Sequence, residues 1–221
     1  MGYENAVHGR VVSAYGRHYT IELPDGTQRT CFPKGKKTDA AVGDEVLVQL
    51  QAGEEGVIVK RLERRNLLYR SDDMRTKQFA ANVDLLLIVV ATTPAFSDDL
   101  VGRALVAAKA ADIDCLIILN KADLESHLPA ARQRLQPFSV LGLPIIELSA
   151  LDTDQVNNLL LPYLKGKTSL LLGQSGMGKS TLLNTLIPNA QAQTQAHSIA
   201  LGAGKHTTTS TRLYDLPQGG H

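Results

Sequence analysis

Two short motifs stand in this chain in an order that most nucleotide-binding sheets do not show. Gly173-Gln174-Ser175-Gly176-Met177-Gly178-Lys179-Ser180 fits the phosphate-loop pattern G-x-x-x-x-G-K-[ST]. Asn120-Lys121-Ala122-Asp123 fits N-K-x-D, a pattern that reads a purine base. In the usual arrangement the phosphate loop comes first and the base reader follows. Here the base reader comes first, the mark of a circular permutation in which the same sheet is entered at a different strand.

The chemistry of each motif explains its residues. Glycines let backbone N–H groups turn inward toward phosphate oxygens at a helix N-terminus. Gly173, Gln174, Ser175, Gly176, Met177 and Gly178 form that cradle, and Lys179, Ser180 and Thr181 open the helix behind it. Lys179 is placed to reach the β- and γ-phosphates, and the Ser180 hydroxyl to bind Mg²⁺. The buried strand expected at Thr168 to Leu172 leads into the loop, which separates it from a chance match in a glycine-rich turn. In the base reader, the Asp123 carboxylate accepts from N1–H and the 2-amino group of guanine. Adenine offers neither donor and would leave a buried carboxylate unpaired. The Lys121 stem covers one face of the base and Asn120 braces the loop. Ser149-Ala150-Leu151 follows as an S-A-x loop whose backbone N–H meets guanine O6. The three motifs together make GTP or GDP the ligand.

Periodicity divides the chain into an all-β part and an α/β part. Residues 7 to 60 alternate apolar and polar, with strands expected at Gly9 to Ala14, His18 to Leu23, Thr27 to Phe32, Val42 to Leu50 and Glu54 to Lys60. Five short strands predict a small barrel, most naturally an OB-fold, although the pattern alone fits an SH3-like barrel too. From residue 80 strands alternate with helices, which predicts a parallel sheet with helices on both faces. Strands are expected at Val83 to Val90, Leu116 to Leu119, Pro144 to Leu148 and Thr168 to Leu172. Helices are expected from Asp98 with Ser97 as cap (Leu100, Ala104, Leu105 and Ala108 inward), at Asp154 to Leu164 (Val156, Leu159, Leu160 and Tyr163 at helical spacing), and at Lys179 to Ile187. The domains predicted are residues 1–62 as the barrel, 63–79 as a basic linker and 80–221 as the permuted α/β domain. Ligands of such a sheet bind at the carboxyl ends of its strands, where all three motifs fall.

Charge and cysteine content narrow the remaining classes. A net charge of +1 conceals a basic stretch in which Lys60, Arg61, Arg64, Arg65, Arg70, Arg75 and Lys77 outnumber Glu63, Asp72 and Asp73. Beside a barrel of the oligonucleotide-binding kind, that stretch is as well suited to phosphate contact as to being a solvated linker. Arg10, Arg17, His18, Lys34, Lys36, Lys37, Arg64 and Arg65 are candidate RNA contacts, and Tyr15 and Tyr19 serve either as stacking platforms or as core. Cys31 and Cys115 carry no metal spacing, and no apolar run is long enough to span a membrane. With no secretory leader in the sequence, a cytoplasmic monomer is expected.

These features, from Phe79-Ala80-Ala81-Asn82-Val83-Asp84 through the two motifs to Lys205-His206-Thr207-Thr208-Thr209, resemble the RsgA family of circularly permuted GTPases. The resemblance implies a Mg²⁺-dependent GTPase of low intrinsic rate in late maturation of the small ribosomal subunit, binding rRNA and stimulated by the subunit. His206 corresponds to the family's candidate catalytic histidine, and an exposed loop histidine is its bland alternative. One of Thr207, Thr208 and Thr209 is expected on Mg²⁺ and the γ-phosphate, with Thr207 and Thr208 the first candidates. Family members continue into a D-x-P-G element and a small zinc domain, so zinc is expected only beyond this chain. The α/β domain is therefore read as incomplete at its C-terminus, with Thr168 to Leu172 left with an unpaired edge. The alternative function is a truncated fragment that binds guanine nucleotide and rRNA with little or no hydrolysis.

Overall fold

Strands β1 (Ala6–Tyr15), β2 (His18–Glu22), β3 (Gln28–Pro33), β4 (Glu45–Leu50) and β5 (Glu55–Arg61) close into a barrel in the order β1-β2-β3-β5-β4. The computed structural model describes residues 5–35, 39–71, 76–188, 190 and 211–221. They fall into two units. One holds the described residues up to Val83 with 211–214, the other those from Asp84 with 215–221.

The barrel follows from the alternation seen in sequence. Successive strand residues point to opposite faces, so Val11, Tyr19, Ile21, Cys31, Val46, Val48 and Ile58 share one interior cluster. A bulge between Val11 and Ser13 bends β1, whose first half pairs with β4 and second half with β2. With β3 and β5 parallel and β4 closing on β1, the barrel is OB-like. Tyr19 is core, only 8% exposed, rather than a platform.

Within residues 63–79, read from sequence as a basic linker, the chain forms strands. β6 (Leu67–Ser71) and β7 (Thr76–Ala81) make an antiparallel hairpin that belongs with the barrel unit. A two-stranded hairpin is marginal alone, so its anchors matter. The Ala81 N–H donates to Val42 O at 2.8 Å, and Asn82 Nδ2 donates to Gly43 O at 2.9 Å. The Asn66 side chain pairs with both backbone groups of Val83, at 2.8 and 2.9 Å. The chain's later segment adds a further contact, with Leu213 N–H donating to Val12 O at 2.8 Å and Leu213 packing against the barrel core.

One buried ion pair joins these parts. The Asp44 side chain is fully buried and accepts from Arg64 Nε at 2.9 Å, from Arg64 Nη2 and from the Ala41 N–H at 2.7 Å. Arg64 Nη2 also donates to Asp39 O at 2.9 Å.

In the second unit β8 (Leu85–Ala91), β9 (Asp114–Asn120), β10 (Ile145–Glu147) and β11 (Ser169–Leu172) form a parallel sheet in the order β10-β9-β8-β11. Every residue of β8 is buried, as its unbroken apolar run requires. Helix α1 (Asp98–Ala110) is capped by Ser97, whose Oγ accepts from Leu100 N–H, but its buried stripe is Val101, Ala104 and Ala108 rather than one led by Leu100. Helix α2 (Leu128–Ser139) was not expected; prolines at 129 and 137 obscure its period. The helix expected at Asp154 to Leu164 is broken by a π turn at Val156–Leu160, between α3 (Thr153–Gln155) and α4 (Leu161–Leu164). The wider turn buries Val156, Leu160 and Leu164 and turns Leu159 and Tyr163 outward. Helix α5 (Lys179–Leu186) follows β11 through the phosphate loop.

Among the described residues β11 is an edge strand, and its residues are half-buried where those of β8 are buried. Its start is engaged on the side away from β8: the His221 N–H donates to Lys167 O at 2.8 Å, and the Ser169 N–H donates to His221 O at 2.7 Å. No helix among the described residues is long and apolar enough to cross a membrane.

Truncating Arg64 leaves the buried Asp44 carboxylate with one backbone donor among the described residues, the Ala41 N–H. Arg64→Ala is expected to lower the unfolding free energy of the barrel by about 3–5 kcal/mol, read by urea denaturation. A loss no larger than that of an exposed arginine would contradict the role given to the pair.

Candidate nucleotide-binding site

Because the four strands of the second unit are parallel, the segments leaving their carboxyl ends converge. Those segments carry Thr92 after β8, Asn120 at the end of β9, Ser149 beyond β10 and Gly173 after β11.

The phosphate loop is packed too closely for side chains at two of its glycines. A Cβ on Gly173 would lie 2.3 Å from Val89 O, and one on Gly178 would lie 2.1 Å from Asn120 Nδ2. Gly178 also has φ +88°, which favours glycine. Met177 is buried with its carbonyl turned to Asn120, while Ser175 and Gly176 are exposed at the tip. Lys179 Nζ donates to Gln174 O at 2.7 Å, inside its own loop. Burial lowers the Lys179 pKa, because desolvation disfavours the ammonium form. The Gln174 side chain is turned away to α1, its Oε1 accepting from the Ser97 N–H at 2.7 Å. Thr181 is half-buried on the first turn of α5.

Asn120 is 1% exposed and joins the phosphate loop to the S-A loop. Its Nδ2 donates to Met177 O at 2.9 Å and its Oδ1 accepts from the Ala150 N–H at 2.8 Å. Lys121 takes φ +60°, its Nζ donates to Thr93 O at 2.9 Å, and its carbonyl accepts from Thr92 Oγ1 at 3.0 Å. Asp123 is exposed, not buried as its sequence role suggested, and lines an open cavity of about 600 Å³ with Ser149, Leu151, Asp152 and Gln155. A base seated there would supply the burial.

Two residues that sequence reading missed hold the S-A loop. Gln155 Oε1 accepts from the Ser149 N–H at 2.9 Å, and Thr185 Oγ1 donates to Ala150 O at 2.6 Å. Neither belongs to a motif; only the fold brings them to residues 149 and 150.

The Ser180 hydroxyl stands exposed on the first turn of α5 with no hydrogen bond among the described residues, so it is open to serve as a Mg²⁺ ligand. His206, Thr207 and Thr208 lie outside the described residues. No group of three His, Cys, Asp or Glu side chains among the described residues is arranged to hold a metal.

The barrel's basic candidates separate into two sets. Arg10 pairs with Glu22 at 3.1 Å, Arg64 with Asp44, and Arg65 Nη2 donates to Asn82 O at 2.9 Å, so these three serve the unit's own structure. Arg17 and Lys34 are exposed, with no ion pair among the described residues. Lys36 and Lys37 lie outside the described residues. Beside Arg17 the Tyr15 and His18 rings stack at 5.6 Å, and His18 lies 6.2 Å from Phe32, which is 39% exposed.

A family model described as RsgA GTPase matches residues 61–221. The small ribosomal subunit biogenesis GTPase RsgA of Bordetella pertussis (strain Tohama I) is 61% identical over 216 residues, 98% of this chain and 72% of that protein. The protein of the same name from Burkholderia pseudomallei (strain K96243) is 53% identical over 214 residues, 96% of this chain and 68% of that one. Among solved structures, YjeQ from Thermotoga maritima superposes with a TM-score of 0.70 at 31% identity, covering 97% of this chain and 72% of that one. YloQ, described as a circularly permuted GTPase, gives 0.61 at 27% identity, covering 85% and 67%. On this evidence the chain belongs to the RsgA family, and it is a GTPase whose permuted domain follows an OB-like barrel.

Proposed function

We propose that this GTPase binds and hydrolyses GTP during late maturation of the small ribosomal subunit, in the cytoplasm, holding rRNA through its barrel and being stimulated by the subunit. The observation that carries the nucleotide part is the Asn120 side chain, one buried amide bonded to the phosphate loop and the S-A loop together. The names of the relatives support the ribosomal part.

In this reading the backbone from Gly173 to Gly178 cradles the phosphates and Lys179 turns from Gln174 O to the phosphate oxygens. Asp123 takes the N1–H and 2-amino edge of guanine. Ser180 and Thr207 or Thr208 would hold Mg²⁺, which neutralises charge developing on the phosphoryl oxygens. His206 orients the attacking water. Arg17 and Lys34 meet rRNA phosphates, and the Tyr15–His18–Phe32 rings offer a stacking face to unpaired bases.

Titration with fluorescent GDP should saturate and be reversed by GTP but not by ATP. Equal displacement by ATP would overturn the base assignment. Asn120→Ala strands the Met177 carbonyl and the Ala150 N–H together and should weaken GDP binding by about tenfold or more.

The lowered Lys179 pKa fixes the sign of a pH effect. A phosphate beside the ammonium raises that pKa, so binding takes up a proton once the pH exceeds the free-site value. GDP affinity is therefore full below that value and declines above it. Lys179→Met should weaken binding at neutral pH and flatten the alkaline decline in the same titration; an unchanged slope would remove Lys179 as its source.

Replacing Arg17 and Lys34 by alanine should weaken association with purified small subunits and reduce the slope of log affinity against log salt by about one per residue. Arg10→Ala tests the other set: altered barrel stability with an unchanged salt slope is expected.

A further inference from the structure

We propose that Thr185 is a positioning residue for base recognition: its hydroxyl orients the Leu151 N–H toward the 6-position of the purine, favouring guanine. The proposal rests on the reading of Asp123 and the S-A loop as the base site.

The Thr185 hydroxyl has one hydrogen and, among the described residues, two acceptors in reach. Ala150 O lies at 2.6 Å and Thr181 O, the i−4 carbonyl of its own helix, at 3.1 Å. The shorter contact takes the proton. A threonine inside a helix commonly returns its hydroxyl to its own backbone; here it reaches another loop. Threonine is also a poor helix former, so helix propensity does not account for it.

The Ala150 carbonyl shares a planar peptide unit with the Leu151 N–H, and in a trans peptide the two point opposite ways. Fixing the carbonyl therefore fixes the direction of that N–H. The neighbouring donors are already engaged, Ser149 N–H by Gln155 at 2.9 Å and Ala150 N–H by Asn120 at 2.8 Å. Among the described residues the Leu151 N–H has only a long contact of 3.4 Å to Ser149 Oγ. It is the loosest donor of the three, and Leu151 lines the same cavity as Asp123. A donor there pairs with the O6 of guanine and opposes the 6-amino group of adenine.

Thr185 thus couples the O6 side of the base to the helix that begins at the phosphate loop. Asp123 acts at the other edge, so the two contributions separate with base analogues.

The experiment is displacement of fluorescent GDP from the full chain by GDP, by IDP, which keeps O6 and N1–H and lacks the 2-amino group, and by 2-aminopurine riboside diphosphate, which keeps the 2-amino group and lacks O6 and with it the N1 hydrogen. Each ligand is compared between variant and unsubstituted chain, so the N1 difference cancels. Thr185→Val is expected to weaken GDP and IDP by about five- to tenfold while changing the 2-aminopurine nucleotide by less than about twofold. Thr185→Ser, which keeps the hydroxyl, is expected to restore the wild-type ratio. Equal weakening of all three ligands, or no weakening, would overturn the proposal. Should Thr185→Val not fold, the ratio in Thr185→Ala against Thr185→Ser decides in the same way. If the unsubstituted chain binds ADP as well as GDP, the base-site reading itself fails, an outcome distinct from an unmoved ratio in the variants.

Discussion

The nucleotide site is organised around a side chain that the ligand need not touch to depend on. The Asn120 carboxamide is buried at the end of β9 and has a donor end and an acceptor end. Met177 O satisfies the first and the Ala150 N–H the second. A buried amide left half-paired is destabilising, so the phosphate loop and the S-A loop are held in one spacing by the same residue. The close approach of Gly178 to Nδ2 shows how little room that spacing leaves. The Thr92–Lys121 contact and the Gln155 and Thr185 contacts to the S-A loop brace segments that Asn120 has brought together.

The barrel unit has a comparable element in the Asp44–Arg64 pair. It recruits an arginine that, by composition, belonged to a stretch suited to nucleic acid. Burial of Asp44 makes that recruitment obligatory, because an unpaired carboxylate in a core is far less favourable than a paired one. The same logic engages Arg10 with Glu22. A basic residue's availability to an RNA partner is thus settled by which acidic groups the fold buries next to it, and Arg17 and Lys34 are left facing solvent.

Where the reading of the sequence and the structure part, the cause is geometric. The face of the helix from Thr153 shifted because a π turn adds a residue that helical periodicity does not anticipate, exchanging Tyr163 for Leu164 in the core. The hairpin of β6 and β7 was hidden because its strands are short and charged, and their stability comes from Asn66, Asn82 and Val42 contacts distant in sequence. Gln155 and Thr185 carry no local pattern at all.

Strand alternation, the buried run of β8 and the two motifs in their permuted order were legible in the residues, because each rests on local periodicity or on residues close together in sequence. A small β-barrel, a parallel sheet and a guanine-nucleotide site follow from those alone. The barrel's closing order, the exposure of Asp123 at a cavity wall and the three contacts that hold the S-A loop were decided only on folding. They depend on which distant groups are driven together when apolar strands are buried and the polar atoms buried with them must find partners.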